Sequence, residues 1–277
     1  MTHTTMTSAQ AWSPDEYTFA PEDVIPTALI NQITTPMGSV EGDEPVVRVA
    51  IVLDDEANIV PEGAEIPEAD PDLAEALIGT VKVGKLLRVS REQFTQPGTS
   101  GTLSDAAQRS IITKADQTLL RQPAPVAPEV YPPGGLLATV GLPDGGTVTG
   151  LDGLIGLQSD VQVEGANPTH WVMAPDAWAA IQRWKRGEGS NEPLLGAGAT
   201  ATQRLLLSTP VLVTNAMPPG EALLLDRTDI GSVIGPVRVA QSEHVYFSAD
   251  SMGMRVTFRF GARMLHPERH TRFTVAV

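Results

Sequence analysis

The excess negative charge of this chain is confined to its first 80 residues, and that confinement limits what the segment can do alone. Residues 1–80 hold 16 acidic side chains and one cation, Arg48, while the rest of the chain holds 18 basic and 17 acidic groups. Such a stretch either stays solvated as an acidic tail or lies as an arm on a cationic surface elsewhere, on this chain or on a neighbour. The net charge of −14 argues against a basic nucleic-acid footprint. With no cysteine, disulfides and thiolate metal sites are excluded. Met1-Thr2-His3-Thr4-Thr5 lacks the start of a signal peptide, and no apolar run approaches the ~20 residues that cross a bilayer. The expectation is a soluble protein made inside the cell.

Residues 1–45, rich in Thr, Pro and acids, show no sustained period and read as an extended arm that gains order only against a partner. From Pro45 the pattern changes. Val47, Val49, Ile51 and Leu53 alternate with Val46, Arg48, Ala50 and Val52, a strand apolar on both faces. Thr80 to Ser90 reads as a second strand. Between them Pro61, Pro67 and Pro71 stand among Glu62, Glu65, Glu68, Asp70 and Asp72, which rules out a core element. Two strands joined by a long polar tip make a projecting hairpin, marginal alone and in need of a surface.

Leu103, Ala107, Ile111, Ala115 and Leu119 then recur at helical spacing, with Thr102 or Ser104 as N-cap and Pro123 as the stop. That gives a rod of ~18 residues, or ~27 Å. A Pro/Gly-rich connector over 122–150 leads into a mixed lobe. It opens on a short helix at Leu151, Leu154 and Ile155, followed by a strand at His170–Met173. Pro175 starts a helix that stacks Ala177, Trp178, Ile181 and Trp184 on one face. Short strands are expected at Val211–Thr214, Ala222–Asp226 and Val237–Ala240. Met254, Val256, Phe258 and Phe260 alternate with Arg255, Thr257 and Arg259 as a half-buried strand, and Thr271, Phe273 and Val275 alternate again.

No catalytic constellation emerges. His266 and His270 flank Glu268 without the His-Glu-x-x-His pattern or a third ligand, and Pro267 breaks any helix there, so they read as polar residues at a turn. Gly196-Ala197-Gly198 lacks the third glycine of a dinucleotide loop, and Gly98-Thr99-Ser100-Gly101 lacks the spacing of a nucleophile elbow. Asp54-Asp55-Glu56 has the donors for a hard cation but reads as a solvated strand end. Trp178 and Trp184 read as core packing rather than a ligand platform. The expectation is a protein that is not an enzyme and carries no cofactor or metal.

Several stretches, in this order, resemble one family. Val60-Pro61-Glu62-Gly63-Ala64 with Ile66-Pro67-Glu68 looks like the tip of an extended loop. Val172-Met173-Ala174-Pro175-Asp176-Ala177-Trp178 looks like a strand-to-helix entry. Leu207-Ser208-Thr209-Pro210-Val211-Leu212-Val213 with Ala222-Leu223-Leu224-Leu225-Asp226 looks like a strand pair, and Arg259-Phe260-Gly261-Ala262-Arg263 with His266-Pro267-Glu268 looks like closing strands. Together, over residues 40–277, they resemble the major capsid proteins of tailed bacteriophages, the Hong Kong 97-type capsid fold.

The resemblance implies an α+β fold. Its parts would be an N-terminal arm (1–45), an extended hairpin loop (46–90), a peripheral domain with a spine helix (91–131 and 239–277) and an inserted mixed α/β axial domain (132–238). It implies a major capsid protein that self-assembles, as pentamers and hexamers, into an icosahedral shell around double-stranded DNA bound without sequence specificity. The place is the virion capsid, assembled in the host cytoplasm, with no membrane partner. Portal and cementing proteins are further expected partners. About 45 residues precede the first strand, too few for the long scaffolding segment of some members, so a separate scaffolding protein is used or none. Inter-subunit contacts are expected at the hairpin through Pro61, Glu62, Gly63, Glu65, Glu68 and Asp70. The receiving surface is expected at Arg255, Arg259 and Arg263, which share one strand face. Two alternatives stand: an encapsulin-type bacterial compartment shell, and a soluble acidic hydrolase or binding module.

Overall fold

The alternation through 254–260 belongs to a 14-residue strand, Ser251–Met264, around which half of the molecule is organised. The structure, a computed structural model, describes residues 16–40, 42–52, 59–61, 63, 73–94, 96, 99–185, 194 and 204–276. In chain order, β1 (Glu16–Phe19), α1 (Pro21–Val24), α2 (Leu29–Ile33) and β2 (Thr35–Ser39) come first. β3 (Val46–Val52), β4 (Leu73–Gly79) and β5 (Val81–Ser90) follow, then α3 (Arg91–Phe94) and α4 (Thr99–Arg121). The next group is β6 (Asp144–Val148), α5 (Leu151–Val163), β7 (His170–Met173) and α6 (Pro175–Arg183). β8 (Leu205–Leu206), β9 (Thr209–Val213), β10 (Glu221–Leu225) and β11 (Ile230–Ile234) precede β12 (Val237–Tyr246), β13 (Ser251–Met264) and β14 (Thr271–Val275).

β13 is the spine of the first sheet. β12 and β11 pair antiparallel with successive parts of it, and β5 pairs with it over Ser251–Phe260. β1 extends this sheet beside β12, and β2 lies parallel to β11. Val256, Phe258 and Phe260 point to the covered face, with the two phenyl rings stacked at 5.2 Å. α4 covers that face with Ala107, Ile111, Ala115 and Leu119, all in one apolar cluster with Val81 and Val83 of β5. The helix is 23 residues long and begins at Thr99, earlier than the Thr102 or Ser104 cap read from the sequence.

The second sheet runs β6-β14-β10-β7-β9-β8. Pro175 occupies the first turn of α6 as expected, and Ala177, Ala180 and Ile181 are buried with Trp178 and Trp184 packed against the core. Trp171 meets Phe273 edge-on at 5.6 Å and donates its Nε1–H to Leu206 O at 3.1 Å.

Four expectations need correction. First, residues 16–40 are not a free arm, because Ile25, Leu29, Ile30 and Ile33 are buried in the core. Asp116 of α4 accepts the Leu29 N–H at 2.8 Å, and Arg227 donates to Thr34 O at 2.9 Å. Second, the strand returning from the hairpin is β4, which pairs with β3 from Val46↔Gly79 to Val52↔Leu73. β5, assigned to the hairpin by its alternation, instead belongs to the body, because its odd-numbered residues bury Val81, Val83 and Val89. Third, 239–277 is not one lobe. Phe273 and Val275 bury against β10 and Trp171, which draws β14 into the second sheet. Fourth, β11 and the start of β12 belong to the first sheet, so the chain crosses between sheets at 226–229 rather than after 238.

Candidate assembly surface

Cross-strand partners in an antiparallel sheet share a face, so the register defines what the uncovered side of the first sheet presents. One row runs Arg238, Thr257, Gly84, and the next runs Ala240, Arg255, Leu86. Ser242, Gly253 and Arg88 form a third, while Arg259 stands opposite Lys82. Lys82, Arg88, Arg238, Arg255 and Arg259 thus lie on one face, which no helix among the described residues covers. The pairing partner of β13 shifts register where β11 passes into β12 at Gly235-Pro236, and beside that step is a cleft of ≈ 270 Å³. Lys82, Arg238, Arg255 and Arg259 line it with Asp43 as the acid.

Arg255, Arg259 and Arg263 share this face as the strand period requires, but they are not equivalent. The Arg255 side chain is exposed and makes no hydrogen bond or ion pair among the described residues. Arg259 is turned to its own chain, donating to Thr80 Oγ1 at 3.0 Å and Glu44 O at 3.3 Å, with Nη2 3.6 Å from Asp43. Arg263 donates to Leu77 O at 3.1 Å. Arg88 lies over the Tyr246 ring at 4.9 Å. On the hairpin side, Pro61 and Gly63 are exposed, and Gly63 has the positive φ of +80° that its turn requires. Glu62, Glu65, Glu68 and Asp70, and the Asp54-Asp55-Glu56 cluster, lie outside the described residues.

The two histidines at the turn have a role that their spacing did not reveal. Asp229 gathers both: its Oδ1 is 2.6 Å from His266 Nδ1 and its Oδ2 3.3 Å from His270 Nε2, while Arg269 Nη1 approaches at 3.6 Å. His270 Nδ1 accepts the Asp226 N–H at 3.2 Å, so the hydrogen-bond pattern assigns a neutral ring with its proton on Nε2. Burial raises the Asp229 carboxyl, but the close approach of His270 Nε2, the bond to His266 Nδ1, and the charge and backbone N–H of His266 together outweigh it and hold it below its usual value. This cluster joins the two strands of chain that cross between the sheets, 226–229 and 265–270. It is a structural tie. Among the described residues no group of three or more His, Asp or Glu side chains is placed to hold a metal, and no helix is long and apolar enough to cross a membrane.

Residues 26–271 match the sequence profile of the phage capsid family. The chain belongs to that family. Its fold is shared by solved structures from phage and GTA particles at low identity. The structure titled Gordonia phage Cozz matches with a TM-score of 0.66 and 14% identity over 98% of this chain and 90% of that one. Mycobacterium phage Bobi matches with a TM-score of 0.63 and 14% identity over 99% and 97% of the two chains. A chain from the capsid of an empty GTA particle matches with a TM-score of 0.66 and 14% identity over 100% and 95%. No curated protein matches at a significant level. This capsid chain is a structural, self-associating protein of the Hong Kong 97-type fold and a component of the virion shell.

Several features of this capsid chain escaped sequence reading. Arg238 and Lys82 belong to the cationic face but sit on strands whose pairing could not be known beforehand. The Asp229 tie was hidden because its carboxylate is 37 residues from His266. A second basic surface runs along α4, where Lys85 donates to Ser110 Oγ at 2.6 Å beside Arg109 and Lys114.

Proposed function

We propose that copies of this chain close into an icosahedral shell of pentamers and hexamers around double-stranded DNA, each hairpin tip lying on the cationic sheet face of the next subunit. In this reading α4 and the first sheet form the peripheral domain, and the second sheet, with α5 and α6, forms the axial domain. Assembly takes place in the host cytoplasm, with portal, cementing and any scaffolding proteins as separate partners. The observation that carries the reading is complementarity within one chain. Residues 54–72 hold eight carboxylates and no cation, and the uncovered sheet face holds Lys82, Arg88, Arg238 and Arg255. Seven paired residues in β3 and β4 span about 23 Å at 3.3 Å each, which sets the reach of the ribbon from its root. Pro61, Glu62, Gly63, Glu65, Glu68 and Asp70 are the tip's contact residues.

Exposed pairs of this kind contribute about 0–1 kcal/mol each, so they matter by repetition around a closed shell. They are also screened over a Debye length of ~8–10 Å. The Arg238→Ser/Arg255→Ser double variant, exposed at both positions, therefore keeps the parent's melting temperature as a subunit. It assembles poorly at low salt and loses the parent's sensitivity to added salt, as followed by light scattering. Normal particle yield with unchanged salt sensitivity would show that the face is merely solvated.

A further inference from the structure

The root of the hairpin is bonded to the body more thoroughly than a projecting loop requires. β3 and β4 pair only with each other among the described residues, and a two-stranded ribbon is marginal by itself. Where the two limbs meet the body, Thr80 N–H donates to Pro45 O at 2.8 Å and the Thr80 hydroxyl bonds Glu44 O. Arg259 reaches this junction from β13 and bonds both limbs through Glu44 O and Thr80 Oγ1, with its side chain only 17% exposed. Four residues further on, Arg263 holds Leu77 O. Between them Gly261 allows β4 to cross almost in contact: a Cβ at this position would stand 2.3 Å from Gly79 O. Beneath the crossing, Val40, Val49, Ile78 and Val233 form their own apolar cluster with Met37 and Val47 packed against it.

We propose that Arg259 and Arg263 are positioning residues that fix the direction of the hairpin within each subunit, before any neighbour is met. The two guanidinium groups and the Gly261 crossing grip the root over five residues of one strand, and the apolar cluster seats it. The ribbon acts as a lever about 23 Å long at 3.3 Å per residue, so a 10° change at the root displaces its far end by about 4 Å. A displacement of that size exceeds what a packed contact tolerates. The direction of the tip, and with it the geometry of the next subunit, is therefore written into the monomer. Arg255 lies on the same strand face with the same charge but touches none of these groups, which makes it the internal control.

The test is hydrogen–deuterium exchange on the full-length chain held dissociated in high salt, where inter-subunit contacts are absent. Its outcome is thus separable from the fate of the shell reading. In the Arg259→Gln/Arg263→Gln variant, amides of 46–52 and 73–79 exchange at least tenfold faster than in the parent, while those of α4 are unchanged. Arg255→Gln leaves both regions as in the parent. If the double variant fails to fold, seen as lost protection in α4, the single change at the exposed Arg263 decides, with faster exchange expected in 73–79 alone. Parent-like exchange of the hairpin in these variants would overturn the proposal.

Discussion

Replacing Asp116 by Asn should stabilise the subunit at neutral pH, although it removes a side chain that accepts a well-formed hydrogen bond. Asp116 sits on the covered face of α4, 9% exposed, and burial raises its pKa from 3.8 to about 6 against the opposing effect of the Leu29 N–H. A carboxyl whose folded pKa is raised binds a proton more tightly in the native state. Its ionisation therefore costs stability progressively from about pH 4 to about pH 6, and the full cost stands above that window. Two pKa units correspond to about 3 kcal/mol, a ceiling that relaxation around the site reduces. Asn keeps an oxygen for the Leu29 N–H and carries no charge. The expected gain is about 1–2 kcal/mol at pH 7.5, shrinking towards zero as pH falls below 4, where Asp116 is protonated in both states. Urea unfolding of the dissociated full-length chain, parent against variant at each pH, measures the difference. A variant no more stable than the parent at pH 7.5, or one whose advantage persists unchanged at low pH, would refute the argument.

Two further changes test the joints of the fold. Phe273→Ala removes the ring that seats β14 against Trp171 and should cost about 3–5 kcal/mol, read as a lower urea midpoint. Asp229→Asn should cost about 2–3 kcal/mol at neutral pH by unpairing the tie between the sheets. Because the Asp229 pKa is depressed, its contribution is present above the ordinary carboxylate range and is lost as pH falls through the folded value. The parent's loss of stability in acid should therefore be smaller in this variant.

What the sequence disclosed and what it hid divide along physical lines. Strong local signals survived: Pro175 opening a helix after His170–Met173, the alternation of 254–260, and the helical spacing from Leu103 to Leu119. Pairing partners did not, because they depend on which distant strand completes a face. Leu73–Gly79 carries two alanines and a glutamate and looked like part of the polar tip, yet it is the strand that pairs with β3. Residues 25–33 bury four large aliphatic side chains in two short helical turns broken by Pro26, too brief to show a period. The strip's three arginines, Arg255, Arg259 and Arg263, lie on one face of β13, as period two requires. Their division, with Arg259 and Arg263 bonded to their own chain and the Arg255 side chain without a partner among the described residues, follows from the root of a hairpin whose return strand was misplaced.

Electron microscopy of the purified full-length protein shows whether copies of the chain close into shells. Closed, regular shells are expected, and particles taken from their natural source should contain DNA of genome length. A monodisperse species of 29.4 kDa, with no shells formed at any salt concentration, would contradict it. Shells that enclose an enzyme in place of DNA would keep the fold and move the function to a bacterial compartment.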